Sequence, residues 1–212
     1  MKKIPTLFER EFENHKVVKI LPVFTSAECA KAVMFGSATV KYDGSCCAII
    51  DGKFYKRYDA KKGKPIPENA IKCQEEADSV TGHLPCWVPV DENNPADKWF
   101  IDALRNVCAD DNTLPDHTYE AIGPHFQGNP YNLENDILVC HGMTFCDDFV
   151  IDASLLSSSM TCEDCQMYVE DWLIYIHRYL ALHEIEGIVF WYDGKPVCKI
   201  KRSDFGLPWP VK

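Results

Sequence analysis

The 212-residue chain has no apolar run near the roughly 20 residues that a membrane-spanning helix needs. Its N-terminal stretch, MKKIPTLFEREFENHK, breaks a short apolar segment with acidic residues before the hydrophobic core of a signal peptide could form. The sequence also contains no low-complexity linker. These absences predict a soluble protein of the cytoplasm, more narrowly the cytosol, with no membrane partner.

Positive charge is in short supply, with 22 Lys and Arg residues against 32 Asp and Glu residues and a formal net charge of -10. A surface with this excess of acid repels a phosphate polymer at long range, so the protein does not coat nucleic acid with its whole surface. Half of the Lys and Arg residues nevertheless lie in two short segments, residues 41–64 and 195–202. These two segments are therefore the candidate sites of phosphate contact.

The 11 cysteines are an odd number, which argues against a complete disulfide framework. In a cytosolic protein they are best interpreted as reduced thiols that mostly pack in the core. This prediction includes Cys46 and Cys47, which lie five and six residues after Lys41. The CEDC stretch at 162–165 offers one zinc-like pair without a convincing second pair, so core or helix-face cysteines are the favoured interpretation.

The remaining composition, 46% hydrophobic and 25% charged, is enough for a core and predicts one globular domain over residues 1–212. Two β-hairpins are indicated by Asp-Gly pairs between apolar runs, one at 46–50 and 54–58, the other at 187–192 and 196–201. Further strands are predicted at 38–42, 118–122 and 137–140, and helices at 96–108 and from an N-cap at Thr161 to about 183. Residues 65–98 are predicted to be mostly loop, with TGHLPCWVPV as an extended piece. The predicted class is α+β with mainly antiparallel strands.

Lys41 ends a predicted strand and is followed by Tyr42, Asp43 and Gly44. This arrangement suits a lysine nucleophile that attacks a group held beside the main chain, because glycine allows close backbone approach. Such a lysine must be neutral when it attacks, and nearby cations favour the neutral amine. Lys199 and Lys201 are two residues apart on a predicted strand, point to one face, and could also neutralise a phosphate.

Two carboxylates lie at or near predicted strands, Glu120 in TYEAIG and Glu186 in EIEGIVF, and could hold a metal–nucleotide complex. Glu184 would share a strand face with Glu186 and is the alternative ligand. The Glu-Gly context favours Glu186.

Taken together, these motifs resemble a known family. Lys41-Tyr42-Asp43-Gly44 is similar to the KxDG motif of covalent nucleotidyltransferases, which include polynucleotide ligases and RNA capping enzymes. Tyr119-Glu120, Glu186-Gly187-Ile188-Val189 and Lys199-Ile200-Lys201 follow in the order of that superfamily's later motifs. From residue 4 to residue 210, segments such as IPTLFER, KRYDAKKG, IGPHFQGNPY and KIKRSDFGLPWP resemble the small ATP-dependent RNA ligases of phage, bacteria and some eukaryotes, the type related to eukaryotic 5′-3′ RNA ligase. Tyr42 and Ser45 are mild departures, since many relatives have Trp and Thr there.

The resemblance implies an antiparallel-sheet nucleotidyltransferase domain that joins RNA 5′-phosphate and 3′-OH ends through a lysyl-AMP intermediate, using ATP and Mg²⁺ or Mn²⁺. Lys41 would be the nucleophile, with Lys199 and Lys201 as catalytic cations and Glu120 and Glu186 as metal ligands. The nucleotide-binding residues implied are Val40, Lys41, Asp43, Gly44, Arg57, Glu120, Glu186, Lys199 and Lys201. The positive charge of the first segment predicts RNA-binding residues at Lys53, Lys56, Arg57, Lys61, Lys62 and Lys64. The alternative for Arg57, Lys61, Lys62 and Lys64 is a solvated cationic face without RNA contact.

Three functions other than RNA ligation are compatible with the same motifs: DNA ligation, RNA capping and RNA-end binding without catalysis. Only eleven residues follow Lys201, too few for the OB-fold of DNA ligases and capping enzymes, so an RNA ligase is expected over both. A catalytically silent RNA-end-binding module on the same fold is the alternative from another class, and the intact motif residues argue against it. His83 and His141 are predicted to make structural hydrogen bonds. The oligomeric state and the physiological RNA are open.

Overall fold

The computed structural model of the chain describes residues 2–14, 16–78, 81–108, 114–149 and 168–211. It divides into two units, which we call unit 1 (Met1–Lys3 with Asp43–His141) and unit 2 (Ile4–Tyr42 with Gly142–Lys212). The elements in chain order are β1 (Phe8–Glu13), β2 (Lys16–Phe24), α1 (Ala27–Phe35), β3 (Ser37–Lys41), β4 (Ser45–Ile50), β5 (Lys53–Ala60), β6 (Ile71–Lys72), β7 (Leu84–Pro89), α2 (Lys98–Val107), β8 (His117–Ile122), β9 (Ile137–Cys140), α3 (Val169–Leu182), β10 (Gly187–Tyr192) and β11 (Lys195–Lys201). Short 3₁₀ turns cover Pro95–Asp97 and Arg202–Phe205.

The strands pair antiparallel throughout these sheets, in agreement with the predicted α+β class. Unit 1 contains a six-stranded sheet in the order β6-β7-β5-β4-β8-β9. Unit 2 contains a three-stranded sheet in the order β11-β10-β3 and a two-stranded sheet of β1 and β2. Among the described residues, none of the helices is both long and apolar enough to span a bilayer.

Both predicted Asp-Gly hairpins are confirmed. Asp51 and Gly52 have φ values of 50° and 69°, and Asp193 and Gly194 have 51° and 68°. Positive φ at both central residues is the requirement of the tight turn whose twist matches that of the flanking strands, and Asp-Gly meets it at low cost. Local turn chemistry therefore positions β4 against β5 and β10 against β11.

The six-stranded sheet of unit 1 has two distinct faces. On one face Cys47, Tyr119 and Ala121 pack with helix α2, and on the other Ala48, Tyr55 and Trp87 form a smaller cluster. Cys47 is fully buried, as predicted. Because successive side chains of a strand point to opposite faces, the register of β4 with β8 decides which polar residues share the second face.

In unit 2, helix α1 packs against the three-stranded sheet, and helix α3 packs against β2 and the 3₁₀ turn at Arg202–Phe205. The buried side chains of this core include Val33, Ile176, Leu180, Phe190 and Ile200. Ser26 caps α1, since its side chain accepts a hydrogen bond from the backbone N–H of Cys29 at 3.2 Å. The described part of α3 begins at Val169, and the predicted N-cap at Thr161, Cys165 and the CEDC stretch lie outside the described residues.

Three elements near the N-terminus, β1, β2 and α1, have no counterpart in the sequence predictions.

The extended piece predicted within 81–90 is the strand β7, which pairs with β5 and β6 inside the sheet. Its prolines, Pro85 and Pro89, lie at or near the ends of the strand. Proline at such positions interrupts few ladder bonds, which makes a paired strand possible.

Candidate active site

Lys41 lies at the end of β3, in direct register with Gly187 of β10, and Gly187 lies opposite Lys201 of β11. The same register places Thr39, Val189 and Lys199 side by side one step along the sheet. The side chains of Lys41, Lys199 and Lys201 therefore share one face of this sheet. The opposite face carries the buried Ile188 and Ile200 of the unit 2 core. The prediction that Lys199 and Lys201 point to one face is thereby confirmed.

Gly187 is required by the close packing of β10 against β11. A Cβ atom at this position would lie 2.2 Å from the carbonyl oxygen of Ile200 and 3.0 Å from the Cα atom of Lys201. Backbone atoms cannot move aside as the end of a side chain can, so glycine is the residue that fits. Because glycine has no side chain, no side chain of β10 lies between Lys41 and Lys201 at this position.

Glu186, which immediately precedes β10, connects the two lysines. Its Oε2 forms an ion pair with Nζ of Lys41, and its Oε1 lies 3.8 Å from Nζ of Lys201. Glu186 is buried, with 7% of its surface exposed. A buried carboxylate needs such compensation, and here two ammonium groups provide it. Glu184, the alternative ligand, is exposed.

Residues 142–146 lie beside the strand that carries Lys41, within unit 2. The backbone N–H of Val40 donates to the carbonyl oxygen of Thr144 at 2.8 Å, and the Tyr42 hydroxyl donates to Oγ1 of Thr144 at 3.3 Å. Thr39 is buried and accepts a 2.8 Å hydrogen bond from the indole N–H of Trp191. These bonds hold the strand that carries Lys41.

The remaining predicted nucleotide-binding residues lie in unit 1. The backbone N–H of Gly44 donates to Oε1 of Glu120 at 3.1 Å, and the backbone N–H of Asp43 donates to the hydroxyl of Tyr131 at 2.6 Å. A Cβ atom on Gly44 would lie 2.2 Å from the carbonyl oxygen of Ala121. The glycine of the KxDG motif is thus needed for the approach of this backbone to strand β8.

Glu120 and Arg57 share one face of the six-stranded sheet. Cys46 is paired with Glu120, Ala48 with Tyr55, and Arg57 with Trp87, which places these residues on the face of the Ala48–Tyr55–Trp87 cluster. The Arg57 guanidinium donates to Asp59 at 2.7 Å and lies 5.8 Å from the centre of the Trp87 ring. Both interactions hold the guanidinium over this face.

His141 is a partner of Glu120 that the motif reasoning missed. Its Nε2 lies 2.9 Å from Oε2 of Glu120, and its Nδ1 lies 3.0 Å from Oγ1 of Thr118. The prediction of structural hydrogen bonds for His141 is confirmed, but one of them contacts a candidate functional residue. Since β8 and β9 were both predicted, an antiparallel pairing of 118–122 with 137–140 would have placed residue 141 near residue 118.

Cys46 lies on the same face and is half-buried, with its side chain near Glu120. Burial and the negative charge of Glu120 raise the pKa of the Cys46 thiol to about 12. Cys46 is therefore a neutral thiol at physiological pH when no metal ion is bound to it.

The predicted RNA-binding lysines have different surroundings within unit 1. Lys53, Lys61, Lys62 and Lys64 are exposed, and a turn closed by a 3.0 Å hydrogen bond from the N–H of Lys64 to the carbonyl of Lys61 presents the last three together. Lys56 instead forms an ion pair with the buried Asp97. Lys56 thus has a structural role at the base of α2 in addition to any role in RNA contact.

No known family model matches this chain. The chain is 24% identical to the RNA ligase 1 of Rattus norvegicus, 25% identical to that of Danio rerio and 24% identical to that of Mus musculus. Each alignment covers 99% of this chain and 82% of the relative. These similarities are distant but extend over nearly the whole chain, and they support an RNA ligase family.

Proposed function

We propose that this protein is an ATP-dependent RNA ligase that joins RNA 5′-phosphate and 3′-OH ends through an AMP group carried on Lys41. The observation that carries the proposal is that Lys41 and Lys201 flank Gly187 on one sheet face and that the carboxylate of Glu186 contacts both lysines. The near full-length similarity to proteins named RNA ligase 1 supports RNA as the substrate. We further propose that residues 1–212 act as one nucleotidyltransferase domain in the cytosol.

The first step forms a bond between Nζ of Lys41 and the α-phosphorus of ATP and breaks the α–β phosphoanhydride bond, so that pyrophosphate leaves. Lys41 must lose its ammonium proton before it attacks. Lys199 and Lys201, on the same face as Lys41, would neutralise the negative charge that gathers on the α-phosphate oxygens. The RNA 5′-phosphate then takes AMP from Lys41, and attack by the 3′-OH releases AMP and seals the strand.

Glu186 is the residue that we propose for the divalent ion. It fits a hard cation, because it offers carboxylate oxygens at a position that already accepts two ammonium groups. Mg²⁺ or Mn²⁺ held there would supply positive charge next to the nucleophile and the phosphate. Glu186 would in exchange give up its ion pair with Lys41, which favours the neutral amine that attack requires.

Unit 1 holds the other residues that we propose for nucleotide contact. Arg57 carries a guanidinium that suits a ribose or phosphate oxygen, while Asp43, Gly44 and Glu120 lie in or beside the KxDG motif. We assign Glu120 to the nucleotide or its metal and Val40 to the pocket beside Lys41.

The function is tested by incubating the full chain with ATP labelled at the α-phosphate, and then with two RNA strands that carry a 5′-phosphate and a 3′-OH. We expect labelled protein, loss of the label when RNA is added, and a joined strand on a denaturing gel. ATP labelled at the γ-phosphate should leave no label on the protein, because pyrophosphate departs.

The alternatives give different results when the same assay is also run with labelled GTP and with an all-DNA substrate. A silent RNA-end-binding module would bind the 5′-phosphorylated strand but remain unlabelled. A capping-type enzyme would take label from GTP, and a DNA ligase would join an all-DNA substrate as fast as RNA. Any of these three results would overturn the proposal.

We propose further that Lys53, Lys56, Arg57, Lys61, Lys62 and Lys64 contact RNA phosphates. Replacing the exposed Lys61, Lys62 and Lys64 together by glutamine should weaken strand joining and reduce its dependence on salt concentration by up to about two units of log–log slope, since single-stranded contacts contribute about 0.7 each. Self-labelling with ATP should change little. The measurement is the joining rate over a range of salt concentrations.

The control replaces Lys2, Lys19 and Lys31 by glutamine. It removes the same net charge from other exposed positions of the chain. That control should keep the parent salt slope. A triple variant that joins RNA at the parent rate with the parent slope would remove residues 61–64 from the RNA-binding surface.

A further inference from the structure

Cys46, Glu120 and His141 bring a sulfur, a carboxylate oxygen and an imidazole nitrogen within 4.8 Å of one another. All three belong to unit 1 and come from three adjacent strands or their ends. Cys46 is the direct cross-strand partner of Glu120, and His141 follows β9 on the same face, where it pairs with Thr118. The sheet register, and not a flexible loop, therefore sets their spacing.

The surrounding hydrogen bonds hold the possible ligand atoms in place. Nδ1 of His141 lies 3.0 Å from the Thr118 hydroxyl, so Nε2 is the nitrogen that faces the cluster. The N–H of Gly44 donates to Oε1 of Glu120 and leaves Oε2 toward His141. Such outer hydrogen bonds orient ligands in protein metal sites and strengthen binding.

The donor set distinguishes this cluster from the carboxylate at Glu186. One sulfur and one imidazole with a single carboxylate suit a borderline or soft ion, whereas Mg²⁺ prefers oxygen ligands alone. A thiolate and a carboxylate together carry two negative charges, which a divalent ion neutralises. The Glu120 and His141 side chains are 12% and 17% exposed, so an ion can reach the cluster and keep an open position for water.

We propose that Cys46, Glu120 and His141 form a binding site for Zn²⁺ or a similar transition-metal ion. Binding displaces the thiol proton of Cys46 into solvent and replaces the Glu120–His141 contact by two bonds to the ion. If Glu120 also binds the nucleotide, as we propose above, zinc at this site competes with that role and inhibits self-labelling. The metal site itself does not depend on that function.

The test uses Co²⁺ as a spectroscopic probe of the full chain after removal of metals by a chelator. The chain should carry Cys162→Ser and Cys165→Ser, because the CEDC stretch offers a competing zinc-like pair. We expect one Co²⁺ per chain with a thiolate-to-cobalt charge-transfer band, loss of the band when Zn²⁺ is added, and no loss with a large excess of Mg²⁺. Cys46→Ser should abolish the band, and His141→Gln should lower the Co²⁺ affinity by at least about tenfold.

Cys140→Ser is the matched control, since Cys140 adjoins His141 but faces Tyr119 on the other side of the sheet. This variant should keep the charge-transfer band and the affinity of the parent. Circular dichroism of each variant shows that the fold is retained. A band that persists in Cys46→Ser, a band lost in Cys140→Ser alone, or no Co²⁺ binding by the folded parent would each overturn the site.

A second measurement separates the metal site from the proposed ligase activity. The Zn²⁺ concentration that halves self-labelling should rise at least about tenfold in Cys46→Ser, relative to its own zinc-free rate, and should be unchanged in Cys140→Ser. If the protein does not label itself, the cobalt titration still decides the metal site. If the cobalt titration fails while labelling succeeds, the metal site is wrong and the ligase proposal stands.

Discussion

Replacement of Lys41 by alanine or by arginine should leave the protein without label after incubation with α-labelled ATP. Alanine removes the proposed nucleophilic amine together with its ion pair to Glu186. Arginine can keep an ion pair with Glu186, but its guanidinium stays protonated and cannot attack phosphorus. The two variants therefore separate the chemistry of the amine from the stability that the ion pair provides. The measurement is the label retained by the protein on a denaturing gel, with intact-mass detection of one AMP group.

Lys195→Ala is the matched control for Lys41. Lys195 is exposed at the start of β11, on the same strand as Lys199 and Lys201, but at the far end from Lys41 and beyond the register shift of this strand pair. Its labelling should equal that of the parent. Label that persists in folded Lys41→Ala would show that another residue carries AMP, and Lys41 would then not be the nucleophile.

Replacement of Glu186 by glutamine should slow self-labelling by on the order of 10²-fold or more, which is the usual effect of removing one electrostatic group from an active site. Glutamine has almost the same shape but offers no negative charge to a divalent ion. Lys41 and Lys201 would then share a site without the carboxylate that now accepts both. A higher pH should not rescue the variant, because the missing carboxylate cannot be regained by titration. The measurement is the labelling rate against Mg²⁺ concentration and pH.

Glu184→Gln is the control that also decides between the two candidate ligands. Glu184 is exposed and lies two residues away in the same segment, and its replacement should leave labelling and its Mg²⁺ dependence unchanged. Thermal unfolding of both variants shows whether removing the buried carboxylate at 186 has also lowered stability. A Glu184→Gln variant as slow as Glu186→Gln, or a fully active Glu186→Gln, would contradict the role proposed for Glu186.

The local part of this fold was predictable because turns and strand alternation depend on neighbouring residues. Asp51-Gly52 and Asp193-Gly194 supply the two positive φ values that a tight hairpin needs, so both hairpins could be placed from a few residues. Strand β11 alternates buried Cys198 and Ile200 with lysines, which made the common face of Lys199 and Lys201 visible in the sequence.

The N-terminal strands β1 and β2 were missed because no such turn signal joins them. Their pairing contains two register shifts, and charged residues occupy much of β1, so the alternation that marks a half-buried strand is weak. Strand β7 was interpreted as an isolated extended piece for a different reason. Its two prolines obscure a partner, β5, that is 24 or more residues away at every paired position.

The candidate chemistry was visible in the order of residues: a lysine two positions before Asp-Gly, two lysines two positions apart on a strand, and two glutamates in or beside strands. It could not determine which of these groups meet. The Lys41–Glu186 pair joins residues 145 positions apart, and the trio of Cys46, Glu120 and His141 arises from the register of three strands. Register is set by long-range pairing and by which face the core buries, and a shift of one residue would turn every side chain to the opposite face. Long-range strand pairing therefore places Glu186 beside Lys41, and Glu120 beside a thiol and an imidazole.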